Sequence, residues 1–330
     1  MNNRRKLLVS LGVGTLTVPL SLFAQQKGKI WLIGFLWESE PSDYAYVQRI
    51  DASKAGMREL SYTEGKDYVI EHRSAKSDLA RLPALAAELL ALKADLIITQ
   101  GTPSALAARN ATREIPILIV TIGDPVGSGL VATLSRPAGN VTGLTGITSA
   151  LGTKRLDLLH QVLPAMRRVG FLYNPDNAAS AQSIREFEAN CDKLQFKSLL
   201  VPIRKADEIV AAFNALKRDQ AQGLLVTGGG TNLAWRATII EQAAKLRLPA
   251  IYNQNSYAES GGLMSYGTNY PDLYRRAATY VDKIFKGAKP GDLPIEQPTK
   301  FELVLNMKAA KALGIKIPGS VLVLATQVIE

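Results

Sequence analysis

Twice along the chain, short runs of β-branched and aliphatic residues alternate with stretches whose apolar residues recur every three to four positions. This alternation constrains the fold more than any other feature. Strands separated by helices must pair in parallel, and each crossover must be right-handed. In the first series, residues 30–36, 68–73, 95–99 and 115–122 read as strands, with helices over 43–60, 79–92 and 104–111. Leu82, Leu85, Ala86 and Leu89 mark one face of the second helix. Residues 141–147, flanked by glycines, read as a connector. The series then restarts: strands at 169–173, 198–203, 223–227 and 250–253, helices at 179–192, 206–217 and 233–246.

The expected fold class is therefore α/β, with two doubly wound parallel-sheet lobes in tandem. Leu273, Ala277, Tyr280, Val281 and Ile284 mark one more amphipathic helix, and 301–305 and 321–325 offer two more strands. A tail of this length predicts that the chain crosses back between the lobes and forms a hinge over a cleft, the architecture of a ligand trap. The first lobe is expected over 25–144 plus about 268–299, the second over 145–267 plus about 300–330.

Residues 1–24 read as an export signal: Arg4, Arg5 and Lys6, an apolar stretch, and Ala24 as the residue before cleavage. Gly12, Gly14, Thr15, Thr17, Pro19 and Ser21 interrupt the stretch and weaken it as a permanent membrane helix. Arg4-Arg5 resembles a twin-arginine signal, and the expected location is the periplasm. The net charge is +10, of which this segment carries +3. The rest is spread without a basic block, so the pattern of a nucleic-acid binder is missing. One cysteine and two histidines leave no disulfide framework and little for a metal site.

In open parallel sheets, ligands sit beyond the carboxyl ends of the strands. Four loops qualify. Gly101-Thr102-Pro103-Ser104 follows the third strand, where Thr102 reads as a cap before Pro103 and leaves the Ser104 amide for an anion. After the fourth strand come Thr121 and Gly123-Asp124-Pro125; Asp124 reads either as an ammonium acceptor or as a cap. In the second series Tyr173-Asn174-Pro175 follows the first strand and Gly228-Gly229-Gly230 the third, and Asn253 and Tyr266 lie at later strand ends. Trp37, ending the first strand, reads as a stacking platform or a core residue.

Catalytic patterns are weak. Gly127-Ser128-Gly129 follows the fourth strand instead of the first and reads as the opening of a helix; no phosphate loop and no Gly-x-Ser-x-Gly elbow occurs. His72 falls mid-strand, His160 lies on a helix, and Cys191 follows Glu186 and Glu188, which disfavours a thiolate. No catalytic residue, metal or cofactor is expected.

Several runs match one family in order along the chain: 64–71, 81–86, 123–131, 135–143, 173–176, 261–267 and 298–306. The most specific is Gly123-Asp124-Pro125-Val126-Gly127-Ser128-Gly129-Leu130-Val131. On these residues the chain resembles the substrate-binding proteins of bacterial ABC importers labelled tryptophan/tyrosine-type. The resemblance implies a type I periplasmic binding fold, three crossing segments, an ABC permease and ATPase as partners, and no chemistry on the ligand. A monomer, free of the membrane once processed, is expected. Trp37-Glu38-Ser39-Glu40-Pro41 departs from the glutamine- and histidine-containing stretch of aromatic amino-acid binders, so the ligand stays open between an amino acid and another small polar molecule. A periplasmic sensor of the same fold is the alternative function.

Overall fold

A computed structural model of the 330-residue chain describes residues 29–40, 44–146 and 151–330. The export segment expected at 1–24 lies outside the described residues, as does residue 147, the last of the expected connector.

The first sheet is built from β1 (Trp31–Trp37), β2 (Tyr68–Ser74), β3 (Leu96–Gln100), β4 (Ile117–Ile122) and β5 (Val141–Thr145), all parallel, in the order β2-β1-β3-β4-β5. Between them run α1 (Tyr44–Glu59), α2 (Leu82–Ala91) and α3 (Gly101–Ala111). Residues 141–145 are thus an edge strand and not a connector. Gly143 makes this pairing possible: a Cβ there would lie 2.0 Å from the Ile119 carbonyl oxygen. The turn after β4 opens no helix either. Asp124 accepts the Gly127 and Ser128 amides, Gly129 turns the chain at φ +70°, and 123–140 contains only turns and bends.

The second sheet repeats the order. After α4 (Gly152–Val162) come β6 (Arg168–Tyr173), α5 (Ser180–Leu194), β7 (Lys197–Pro202), α6 (Glu208–Arg218) and β8 (Gly223–Val226). Then follow α7 (Gly230–Ala234), α8 (Arg236–Lys245), β9 (Ala250–Tyr252), α9 (Asn255–Glu259) and β10 (Met264–Thr268). The helix expected at 233–246 is two helices, broken at Trp235. β7-β6-β8-β9-β10 are parallel neighbours in the same arrangement as the first sheet.

α10 (Tyr270–Phe285) then returns to the first lobe and packs on α1, β4 and β5. Eight of the twenty buried residues in that lobe's inner cluster come from α10, among them Tyr274 and Tyr280. The chain re-enters the second sheet as β11 (Phe301–Asn306), antiparallel to β10, followed by α11 (Met307–Leu313), α12 (Gly319–Leu322) and β12 (Gln327–Ile329). The strand expected at 321–325 is displaced: Pro318 and Gly319 start a helical turn there, and pairing begins only at Gln327. The chain thus passes between the sheets three times. The passages are bonded to one another, with the Thr268 hydroxyl donating to the Gly146 carbonyl at 3.0 Å and the Thr145 amide to that of Glu296 at 2.9 Å.

Candidate functional site

The strand order reverses beside β1 and β3 in one sheet and beside β6 and β8 in the other. Crevices open at such switch points, and here the two face each other. They form one cleft of about 810 Å3, part of it open to solvent, with walls from both lobes. Gly101 (φ +80°) lets β3 turn straight into α3, and Gly229 (φ +134°) does the same between β8 and α7. Thr121 sits at φ +68° where the β4–β5 register shifts, an unfavourable conformation for a β-branched residue, and it lines the cleft.

Two contacts cross from lobe to lobe beside the cleft. Glu38, just past β1, accepts the Gly230 amide of the second lobe at 2.9 Å. Arg49 on α1 donates to Gln254 past β9 and lies 5.0 Å over the Tyr270 ring. Both side chains are buried. Burial pushes the Glu38 carboxyl up to about 7, although the Gly230 and Ser104 amides and the charge of Arg49 pull the other way. Arg155, buried on α4, donates to the Tyr266 carbonyl at 2.7 Å, and burial lowers it to about 10. Burial raises the Tyr270 phenol, and the positive charges of Arg155 and Arg49 oppose that rise. The second lobe adds an apolar wall that includes Phe171, Phe187 and Leu225.

Of the residues expected at a ligand, Gly101, Thr102, Thr121, Gly228 and Gly229 line this cleft. Thr102 is the second residue of α3 and not its cap, because the helix already begins at Gly101. Ser104 is buried behind them: its hydroxyl donates to the Gly101 carbonyl at 3.1 Å, and its amide favours the charged form of Glu38. The others are not among the lining residues. Trp37 is packed in the first lobe between Phe35, Tyr46 and Tyr274, with ring centroids 4.5–5.6 Å away. Asp124 spends its carboxylate on the Gly127 amide at 2.8 Å. Asn174 donates to the Thr231 hydroxyl at 3.0 Å and accepts the Asp176 amide at 2.8 Å. Asn253 is fully buried, with its side chain at the phenol of the cleft residue Tyr270, whose charged form it favours, and the Tyr266 ring sits 6.2 Å from Phe301.

Strand-end reasoning overlooked Glu38, Arg49, Arg155 and Tyr270. A signal for the arginines existed, since each falls on the apolar stripe of its helix, among Tyr46, Ile50 and Met57 for Arg49 and Leu156, Leu159 and Val162 for Arg155. His72 pairs its Nδ1 with the Tyr46 hydroxyl at 2.6 Å, His160 packs edge-on to Phe196, and burial pushes the Cys191 thiol up to about 12. None of the three lines the cleft. Among the described residues no three His, Cys, Asp or Glu side chains gather as metal ligands, and no helix is long and apolar enough to cross a membrane.

Comparison with known proteins agrees with this architecture. The family described as ABC transporter substrate binding protein matches residues 39–329. A tyrosine-binding protein of Clostridioides difficile is 27% identical over 271 residues, 81% of this chain and 78% of the relative. An ABC domain from Streptococcus pneumonia, solved in complex with L-Trp, is 26% identical with a TM-score of 0.84, covering 91% of this chain and all of the other. A ligand-free, open substrate-binding protein with adhesive properties from Clostridium difficile is also 26% identical, over 91% of this chain and 99% of the other, but has a TM-score of only 0.65. The two lobes have the type I periplasmic binding fold.

Proposed function

The chain belongs to the ABC transporter substrate binding protein family, and from that premise we propose that it captures a small, amino-acid-sized ligand in the interlobe cleft by hinge closure and presents it to an ABC permease and its ATPase. The observation that carries this reading is the pair of contacts across the cleft, Glu38 to Gly230 and Arg49 to Gln254. They join two lobes that three chain passages link, and such an arrangement opens and shuts about those passages. The greater likeness to the relative with bound L-Trp than to the open one, at equal identity, supports a closed conformation here.

In this reading the closed form buries the ligand, and its tighter binding to that form is what drives closure. The protein does no chemistry on the ligand, works as a monomer, and binds neither nucleic acid nor a cofactor. The signal-like residues 1–24 support action in the periplasm.

Small-angle scattering on protein refolded to remove carried-over ligand tests the capture. A metabolite that raises the melting temperature should also reduce the radius of gyration. Ligand at about 100 times its Kd adds about 2.7 kcal/mol of stability, enough for a clear shift. Stabilisation without compaction would refute hinge closure.

A further inference from the structure

The capture reading leaves the ligand's charge open, and the cleft wall bears on it. None of the described lining residues is acidic, whereas Arg49 and Arg155 are both cations. Both line the same cleft as Tyr270, and the Arg49 guanidinium lies 5.0 Å from the centre of that ring. Arg49 is 3% exposed and makes no ion pair within 4 Å among the described residues; it donates to the neutral Gln254 amide, lies over the faces of Tyr270 and Tyr274, and acts on the Glu38 carboxyl only through its charge. A buried guanidinium facing a cleft with no carboxylate among its described lining residues favours an anionic ligand. The same cleft is lined by the apolar side chains of Phe171, Phe187 and Leu225.

The carboxylate of Glu38 packs on this wall from behind, and only one of its oxygens is paired, Oε1 having no hydrogen-bond partner among the described residues. It bonds the Gly230 amide and packs against Gly101 so closely that a Cβ there would lie 2.2 Å from Glu38 Oε1. Asp124 is turned onto Gly127. An ammonium group entering this cleft would meet two arginines and no acid among the described lining residues, with Glu38 Oε1 set behind Gly101, an unfavourable exchange for its lost hydration.

We propose that the ligand is a small organic anion: an aromatic or apolar carboxylic acid without an α-ammonium group. Its carboxylate lies at Arg49 and Arg155 beside Tyr270, and its apolar body lies on Phe171 and Phe187. This rests on the capture reading and departs from the amino-acid ligands named for the two relatives above.

Calorimetric titration of the refolded protein with matched pairs tests it: indole-3-propionate against tryptophan, 3-(4-hydroxyphenyl)propionate against tyrosine, and 3-phenylpropionate against phenylalanine. In at least one pair the acid lacking the amine should bind about tenfold more tightly or better, and its carboxamide should lose at least about tenfold, the cost of an unmatched buried charge. An amino acid that binds as tightly as its deaminated partner, or more so, overturns the proposal. If Glu38→Gln then abolishes that preference, the free oxygen of Glu38 is the ammonium acceptor instead. If no acid binds but a neutral metabolite compacts the protein, the anion class fails while capture stands. If nothing binds and nothing compacts the protein, both fail.

Discussion

Glu38 shows how a single side chain can set the pH response of two joined lobes. Its folded value of about 7 stands above the ordinary 4.5 because burial disfavours the charge. Below about pH 4.5 the acid is protonated whether the protein is folded or not, so it contributes no difference. Between 4.5 and 7 the unfolded chain releases the proton and the folded one keeps it, so stability falls as pH rises, by on the order of 3 kcal/mol across the window. His72, lowered by burial, acts in the opposite sense near its own range, so the informative quantity is the difference between wild type and Glu38→Gln. Urea midpoints from pH 4.5 to 7.5 should show the variant gaining on the wild type as pH rises. Parallel curves would mean that Glu38 is already ionised in the folded protein. At this scale the sequence was half readable. The glycines at strand ends announce themselves because a strand that turns at once into a helix requires them. An acid or arginine drawn inward looks the same in a sequence as one left in solvent.

Elements were more legible than residues, and the exceptions have local causes. Residues 141–145 lack the alternation of a half-buried strand because all five are buried, and Gly143 looks like a breaker although it serves as a point of close approach. The helix at 270–285 could be read from its spacing, but its partner could not. That partner is α1, and the two backbones approach so closely at Gly56 that a Cβ would stand 2.2 Å from the Arg275 carbonyl oxygen. Alanine normally favours a helix over glycine by about 1 kcal/mol. Here the steric cost should win, and Gly56→Ala should destabilise the protein by about 1–3 kcal/mol, measured by denaturant unfolding. A stabilised variant would show that α1 and α10 can separate without penalty.

The whole molecule was the most legible level, since a repeated strand–helix pattern admits few topologies and the second sheet copies the order of the first. Only the returns of the chain needed the structure to fix. The segment 29–146 holds every strand of the first sheet, yet eight of the twenty residues in its inner cluster belong to α10. Expressed alone, that segment should show no cooperative thermal transition by calorimetry, because one face of its sheet keeps α1 but lacks the rest of its cover. A sharp transition would mean that the first lobe folds without α10. The same interleaving bears on how the protein is made. A ribosome delivers β1 through β5 long before residue 270, so the lobe begun first is finished after most of the other. For the time it takes to add well over a hundred residues, the nascent chain carries an uncovered apolar face, and whatever accompanies it from the ribosome must shield that face until α10 arrives.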